Sequence, residues 1–345
     1  MTMDLTRRNL AAVLLFAAIA LTALQGLGLA PGVAGAGTEI VAKHVVGAIP
    51  VADPSSGMWR EATPLEVPLS GQMTVEPMKM DPSTPSLEIR ALYNATHIAF
   101  RVDWQDETKD NRTINVTDFR DALAIQMAPP TPLPNVCMGS AGARLHIMQW
   151  KADWQADIEE GFKDLQDAFP NFWSDWYPYA MGEPPYTVPD DFAGNASLYL
   201  VGYTVGNPFS QPLKVTSVED AVAEGFFTIT TQVSQDAIGR GVWAGRNWSV
   251  VVARPLVSSD SADVRVAHGN VMAFAVWDGA SGDVGARKSV STWVTLSLGP
   301  GAHSPDVVAL AGGTAAVLAT AGVIAIIVLR RRGKAGRKPG APGGP

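Results

Sequence analysis

Apolar and polar residues alternate along many short runs of this chain, and that period of two constrains its fold more than any other feature. Ser86 to Tyr93 and His97 to Trp104 both alternate, and Asn94-Ala95-Thr96 between them supplies turn residues, which predicts an antiparallel hairpin. Further strands are predicted at Ala122 to Met127, Leu198 to Thr204, Phe226 to Val233, Trp248 to Arg254, Val271 to Trp277 and Ser291 to Leu298. Only Trp154 to Ala168 offers a helical stretch, and no repeat period stands out. Short strands joined by long connections predict a mostly β fold, an antiparallel β-sandwich.

The two ends carry a different pattern. Arg7-Arg8, the apolar run Leu10 to Leu24 and the small residues Gly32 to Gly37 read as a secretory signal peptide over residues 1–36, with Ala36 the last residue removed. Thr6-Arg7-Arg8-Asn9-Leu10 loosely resembles a twin-arginine signal. Val307 to Leu329 is a 23-residue stretch without a charge. At about 1.5 Å per residue it can cross a hydrocarbon core of about 30 Å, and Arg330-Arg331-Arg332 behind it belongs inside. The expected organisation is an exported domain over 37–304, one transmembrane helix over 307–329 and a basic cytoplasmic tail over 330–345 that contacts anionic lipid. The protein is thus expected in the cell membrane as a single-pass chain, its main domain on the extracytoplasmic face.

Of the net charge of −7, the leader contributes +1, Asp306 −1 and the basic tail +6, which leaves about −13 on the exported domain. An acidic surface argues against nucleic acid as a partner. The single cysteine, Cys137, excludes an intramolecular disulfide, a four-cysteine iron–sulfur site and the C-x-x-C-H attachment of a c-type haem. Asn94, Asn111, Asn115, Asn195 and Asn247 stand in Asn-x-Ser/Thr sequons, acceptors for glycosylation on an external surface. G-x-S-x-G, H-E-x-x-H and P-loop patterns are missing, so the chain is not expected to catalyse a reaction by itself.

Met138-Gly139 follows the proline-rich turn Pro129 to Pro134 and precedes Leu145-His146-Ile147-Met148-Gln149-Trp150-Lys151-Ala152-Asp153-Trp154. A thioether in that setting is a candidate axial ligand for haem iron. The segment from Pro129 to Pro189 is rich in rings, among them Trp150, Trp154, Phe162, Phe169, Phe172, Trp173, Trp176, Tyr177, Tyr179 and Tyr186. It reads as an aromatic insertion that buries its rings against a flat cofactor or beneath a long loop.

From about Ile49 to Leu298 the chain resembles the haem b (gamma) subunit of ethylbenzene dehydrogenase and related complex iron–sulfur molybdoenzymes. The resemblance is carried by Met58-Trp59, Val102-Asp103-Trp104, Asp121 to Met127, Cys137-Met138-Gly139, Trp150-Lys151-Ala152-Asp153, Trp248 to Leu256, Phe274 to Gly279 and Gly285 to Trp293, in that order. It implies a β-sandwich that holds one non-covalent haem b through Met138 and Lys288 and has no catalysis of its own. It also implies partners: an iron–sulfur subunit, a molybdenum catalytic subunit of the nitrate reductase, chlorate reductase or ethylbenzene dehydrogenase kind, and a quinone-linked or soluble cytochrome carrier. A lysine amine binds iron only when deprotonated, so Lys288 is expected mid-strand and facing the core. His268 is the main alternative to Lys288, and His146, Met127, Met148, Met272 and Lys214 also lie near predicted strands. From a different class, a cell-surface glycoprotein with a carbohydrate-binding β-sandwich would use exposed Trp and Tyr to stack on sugars.

Overall fold

The computed structural model describes residues 38–169, 171–172 and 200–300. The expected leader, transmembrane helix and basic tail lie outside them, as do Asn195 and the rings from Trp173 to Tyr186. Among the described residues no helix is long and apolar enough to cross a membrane. The chain divides into two compact units, 1–298 and 299–345, and everything below concerns the first.

Among the described residues fourteen strands follow in order: β1 (Glu39–His44), β2 (Leu65–Pro68), β3 (Ser70–Gly71), β4 (Ser86–Tyr93), β5 (His97–Gln105), β6 (Ala122–Ala128), β7 (Leu145–Lys151), β8 (Val218–Ala223), β9 (Thr230–Thr231), β10 (Ile238–Trp243), β11 (Asn247–Pro255), β12 (Val271–Trp277), β13 (Ser289–Val290) and β14 (Val294–Leu298). The helices among the described residues are short: α1 (Ala152–Glu160), α2 (Leu165–Ala168), α3 (Val201–Thr204) and two 3-10 turns, Gly57–Glu61 and Pro208–Ser210. The mostly β expectation stands, but the pairing is not purely antiparallel. One path of strands runs β10-β11-β5-β4-β1-β14-β12-β6-β7-β8-β9, and β1 lies parallel to both of its neighbours, β4 and β14.

Alternation explains why the sheet folds back on itself. Ile89, Phe100, Val102, Val250 and Val252 from one half share a single buried core with Leu123, Ile125, Met148, Phe274 and Val276 from the other. Trp104 and Trp248 stack at 6.3 Å, and Trp150 from the opposite half meets Trp248 edge-on at 5.0 Å, so three indoles join the two layers.

Several expectations are corrected. Trp154 to Ala168 is two helices: Gly161, at φ 87°, stops α1, and Asp164 caps α2. Residues 201–204 form the helical turn α3 rather than a strand, and Phe226 to Val233 contributes only Thr230–Thr231. The aromatic segment is not simply an insertion. Its Leu145–Lys151 is β7, paired with β6 and β8, because Met148 and Trp150 belong to the central core.

Candidate functional site

β6 and β12 each pair small residues on one face with large ones on the other. Leu123, Ile125, Phe274 and Val276 enter the core, which leaves Ala122, Ala124, Ala273 and Ala275 on the opposite face. The register sets Ala275 beside Ala124 and Trp277 beside Ala122, while β7 sets Gln149 beside Ala124 and Ile147 beside Gln126. The result is a flat floor with no side chain longer than a methyl group at its centre. Above it lies a cavity of about 710 Å³, within the range of about 300–1,000 Å³ usual for small-molecule and cofactor sites. Segments from 113–120, 136–138, 226–229 and 283–288 close it.

Met138 lines this cavity in an unusual way. Its φ is 70°, a left-handed conformation that costs an L-residue about 1–2 kcal/mol. The surroundings impose it. Gly225 N–H donates to the Met138 carbonyl at 2.7 Å, Gly139 N–H to Asn135 O at 2.9 Å, and the Gln126 amide to Val136 O at 2.5 Å. Gly139 is also required: a Cβ there would stand 3.0 Å from the carbonyl oxygens of Ala143 and Ala223. Strain held by a rigid frame is a mark of functional positions. Met138 also packs against the alanine cluster of the floor.

Lys288 lines the same cavity, immediately before β13 rather than mid-strand, and faces the chamber rather than the core. Its backbone is tied down, since Gln72 N–H donates to Lys288 O at 3.1 Å and the Gln72 amide to Ala286 O at 3.1 Å. Its ammonium group is not: among the described residues Nζ has no hydrogen bond or ion pair, and it lies 4.8 Å over the Trp277 ring. Burial pushes the amine down from 10.5 to about 8, with Cys137 acting weakly the other way. Cys137, half-buried and also in the lining, approaches Thr74 Oγ1 at 3.4 Å.

The rival residues sit elsewhere. His268 is exposed and reaches Ser297 Oγ at 3.3 Å. His146 is fully buried between Asp220, 3.0 Å from Nε2, and Arg254, which donates to Nδ1 and also binds Asp263 at 3.1 Å. Both its nitrogens are engaged in that network. Met127, Met148 and Met272 are buried in the central core, and Lys214 lines a smaller polar cavity beside Trp154 and Phe162. None of the described rings expected to cover a porphyrin lines the larger cavity. Its aromatic lining is Phe119, Phe226, Phe227, Phe274 and Trp277 instead. Sequence reasoning missed both these rings and the floor. The floor left a signal, the small–large alternation Ala122-Leu123-Ala124-Ile125 and Ala273-Phe274-Ala275-Val276.

Fold and cavity together define a class: a folded-back β-sheet protein enclosing a mostly apolar, cofactor-sized chamber with a thioether and an amine in its wall. The model of the ethylbenzene dehydrogenase family matches residues 56–289, and the chain belongs to that family. It is also 24% identical, over 294 residues, to a Haloferax mediterranei protein named as a respiratory nitrate reductase heme subunit, ORF7, covering 84% of this chain and 83% of that one. Among solved structures it is similar to a family 9 carbohydrate-binding module of Caldicellulosiruptor kristjanssonii. With glucose bound the TM-score is 0.32 at 8% identity, over 77% of this chain and 100% of that one. With cellotriose it is 0.35 at 9% identity, over 76% and 95%. Similarity this loose carries no argument about a ligand.

Proposed function

We propose that this chain is the haem b electron-transfer subunit of a nitrate reductase or ethylbenzene dehydrogenase type complex, in which Met138 and Lys288 would hold the haem iron. The observation that carries the reading is that these two side chains, far apart in sequence, open onto one mostly apolar cavity with the methyl groups of Ala122, Ala124, Ala273 and Ala275 in its lining. Bound haem supplies a one-electron centre; the protein supplies its position, its ligands and its dielectric surroundings. The alanine floor accepts a planar group that bulkier side chains would exclude. Met138 offers a soft donor that favours the reduced state of iron. Lys288, with its amine pushed down to about 8, is still mostly protonated at pH 7 but releases its proton roughly 300-fold more readily than a free lysine at 10.5, so iron would have far less proton affinity to overcome in claiming its lone pair. Phe226 and Phe227 stand exposed at the rim, where an electron partner would approach.

The same proposal includes export, a single-pass tether through residues 307–329, an outward-facing domain, and iron–sulfur and molybdenum partner subunits with a quinone-linked or soluble cytochrome carrier. The test is a reduced-minus-oxidised spectrum of the full chain produced with haem available, with a pyridine haemochrome assay. The expected result is about one b-type, low-spin haem per chain, with the Soret band shifted or lost in Met138→Ala and Lys288→Ala. An unchanged spectrum in both variants would remove the ligand assignment, and a colourless folded protein would return attention to sugar binding.

A further inference from the structure

Three strand ends converge beside the cavity, and each ends or begins in an aspartate. Asp106 directly follows β5, Asp121 directly precedes β6 and Asp278 directly follows β12. Pairing of Trp277 with Ala122 brings Asp278 to Asp121, and Trp248, whose indole N–H donates to Asp121 Oδ2 at 2.9 Å, ties in the opposite layer. Asp110, from the β5–β6 connection, completes the group: one carboxylate oxygen from each of the four lies within 4.8 Å of the others. Oxygens that share a cation at 2.3–2.6 Å are at most about 5 Å apart.

None of the four is in a salt bridge among the described residues. Asp121 is fully buried, and its oxygens accept three donors: Asp110 N–H at 2.7 Å, Trp248 Nε1–H and Gly279 N–H at 2.9 Å. Asp106 is 6% exposed; its Oδ1 accepts from Thr108 N–H at 3.1 Å, while its buried Oδ2 has no hydrogen-bond partner. The Trp104 indole is the donor directed at Asp106, but makes no hydrogen bond of ordinary geometry with it, and its Nε1–H is likewise unpartnered among the described residues. Asp110 accepts from Thr108 Oγ1, and Asp278 accepts from Ser281 N–H and Oγ. Four carboxylates, two of them buried, are therefore arranged as acceptors with no positive charge between them. That is a costly arrangement for protein groups alone.

We propose that Asp106, Asp110, Asp121 and Asp278 bind one calcium-type divalent cation that ties the β5–β6 connection to the loop after β12. Oxygen-only donors select a hard cation. Four carboxylates on loops of adjustable reach suit calcium better than magnesium, which keeps its waters and uses one or two carboxylates. The two loops already touch: a Cβ on Gly279 would lie 2.1 Å from Phe119 O and 2.5 Å from Asp110 Cβ. Both go on to wall the cavity, through Thr113 to Arg120 on one side and Asp283 to Lys288 on the other. The cation thus fixes the frame on which Lys288 is carried, whatever the cavity holds.

The experiment uses the full chain prepared without haem, stripped with EDTA and titrated with calcium chloride or magnesium chloride, followed by calorimetry and thermal unfolding. One calcium per chain is expected, raising Tm by about 5 °C or more once calcium exceeds Kd about 100-fold, with a smaller response to magnesium. Asp278→Asn and Asp106→Asn, each checked for folding by circular dichroism, should weaken calcium binding by at least about tenfold, the loss that even outer-sphere partners of a metal cause. No uptake of millimolar calcium by the folded wild-type chain would overturn the proposal, as would undiminished binding in both variants or a preference for magnesium. Because haem is absent from every arm, failure here leaves the ligand test of Met138 and Lys288 unaffected.

Discussion

At Met138 the strain of a left-handed backbone and the contacts of a long side chain oppose each other. Replacing it by glycine removes about 1–2 kcal/mol of strain and a similar amount of packing against the alanine cluster. Met138→Gly should therefore change urea stability of the haem-free protein by less than about 1 kcal/mol while abolishing the low-spin spectrum. A core methionine would show the reverse, a large stability loss with no spectral change. Lys151 is a contrasting cation, buried against Glu219 and 4.2 Å over the Trp154 ring. Burial lowers its amine from 10.5 to about 8 despite the opposing pull of Glu219. Between those values the unfolded chain binds more protons than the folded one, so this group makes stability rise as pH increases from about 8 to 10.5; below 8 both states are protonated and the full penalty stands. Lys151→Met should remove that rise. It should also cost about 3–5 kcal/mol at pH 7 by leaving Glu219 buried without its cation, and adding Glu219→Gln should restore much of it.

At the scale of elements, β6 and β12 act as a two-sided plate whose core side is bulky and whose cavity side is bare. Ala124→Leu should fold with a stability change of about 1 kcal/mol or less, because its new atoms enter the cavity rather than a packed core, yet lower haem occupancy at least tenfold as read by the haemochrome assay. Strands of this kind were the legible part of the sequence: β4 and β12 match their predicted spans, and β5, β6 and β11 do so within a residue or two. β8 was hidden because buried Glu219 and Asp220 interrupt its apolar run. β10 was hidden by Gly239 and Gly241, which are needed because a Cβ on Gly241 would stand 2.5 Å from the Trp150 ring. Met138 was singled out by its setting between a proline-rich turn and a glycine, and Lys288 by family resemblance; that both line one cavity is visible only in the fold. The aspartate cluster left no local signal, since β-pairing assembles it from opposite ends of the domain.

At the scale of the whole molecule, β1 is the joint. Along the path of described strands it alone links β4 in one layer to β14 in the other, and Ile40 and Ala42 enter the core. Val41→Pro, opposite Ser297 in the ladder, should lower stability by about 3 kcal/mol or more, followed by tryptophan fluorescence from the Trp104, Trp150 and Trp248 cluster. The joint is made from the first and last of the described strands. A growing chain therefore cannot close its sheet until Val294 to Leu298 has been synthesised, and until then Glu39 to Ala42 of β1 waits without its partner strand. Open flanks are templates for other chains. The hazard of this architecture falls on nascent copies crowded together, which can borrow one another's closing strand before their own arrives.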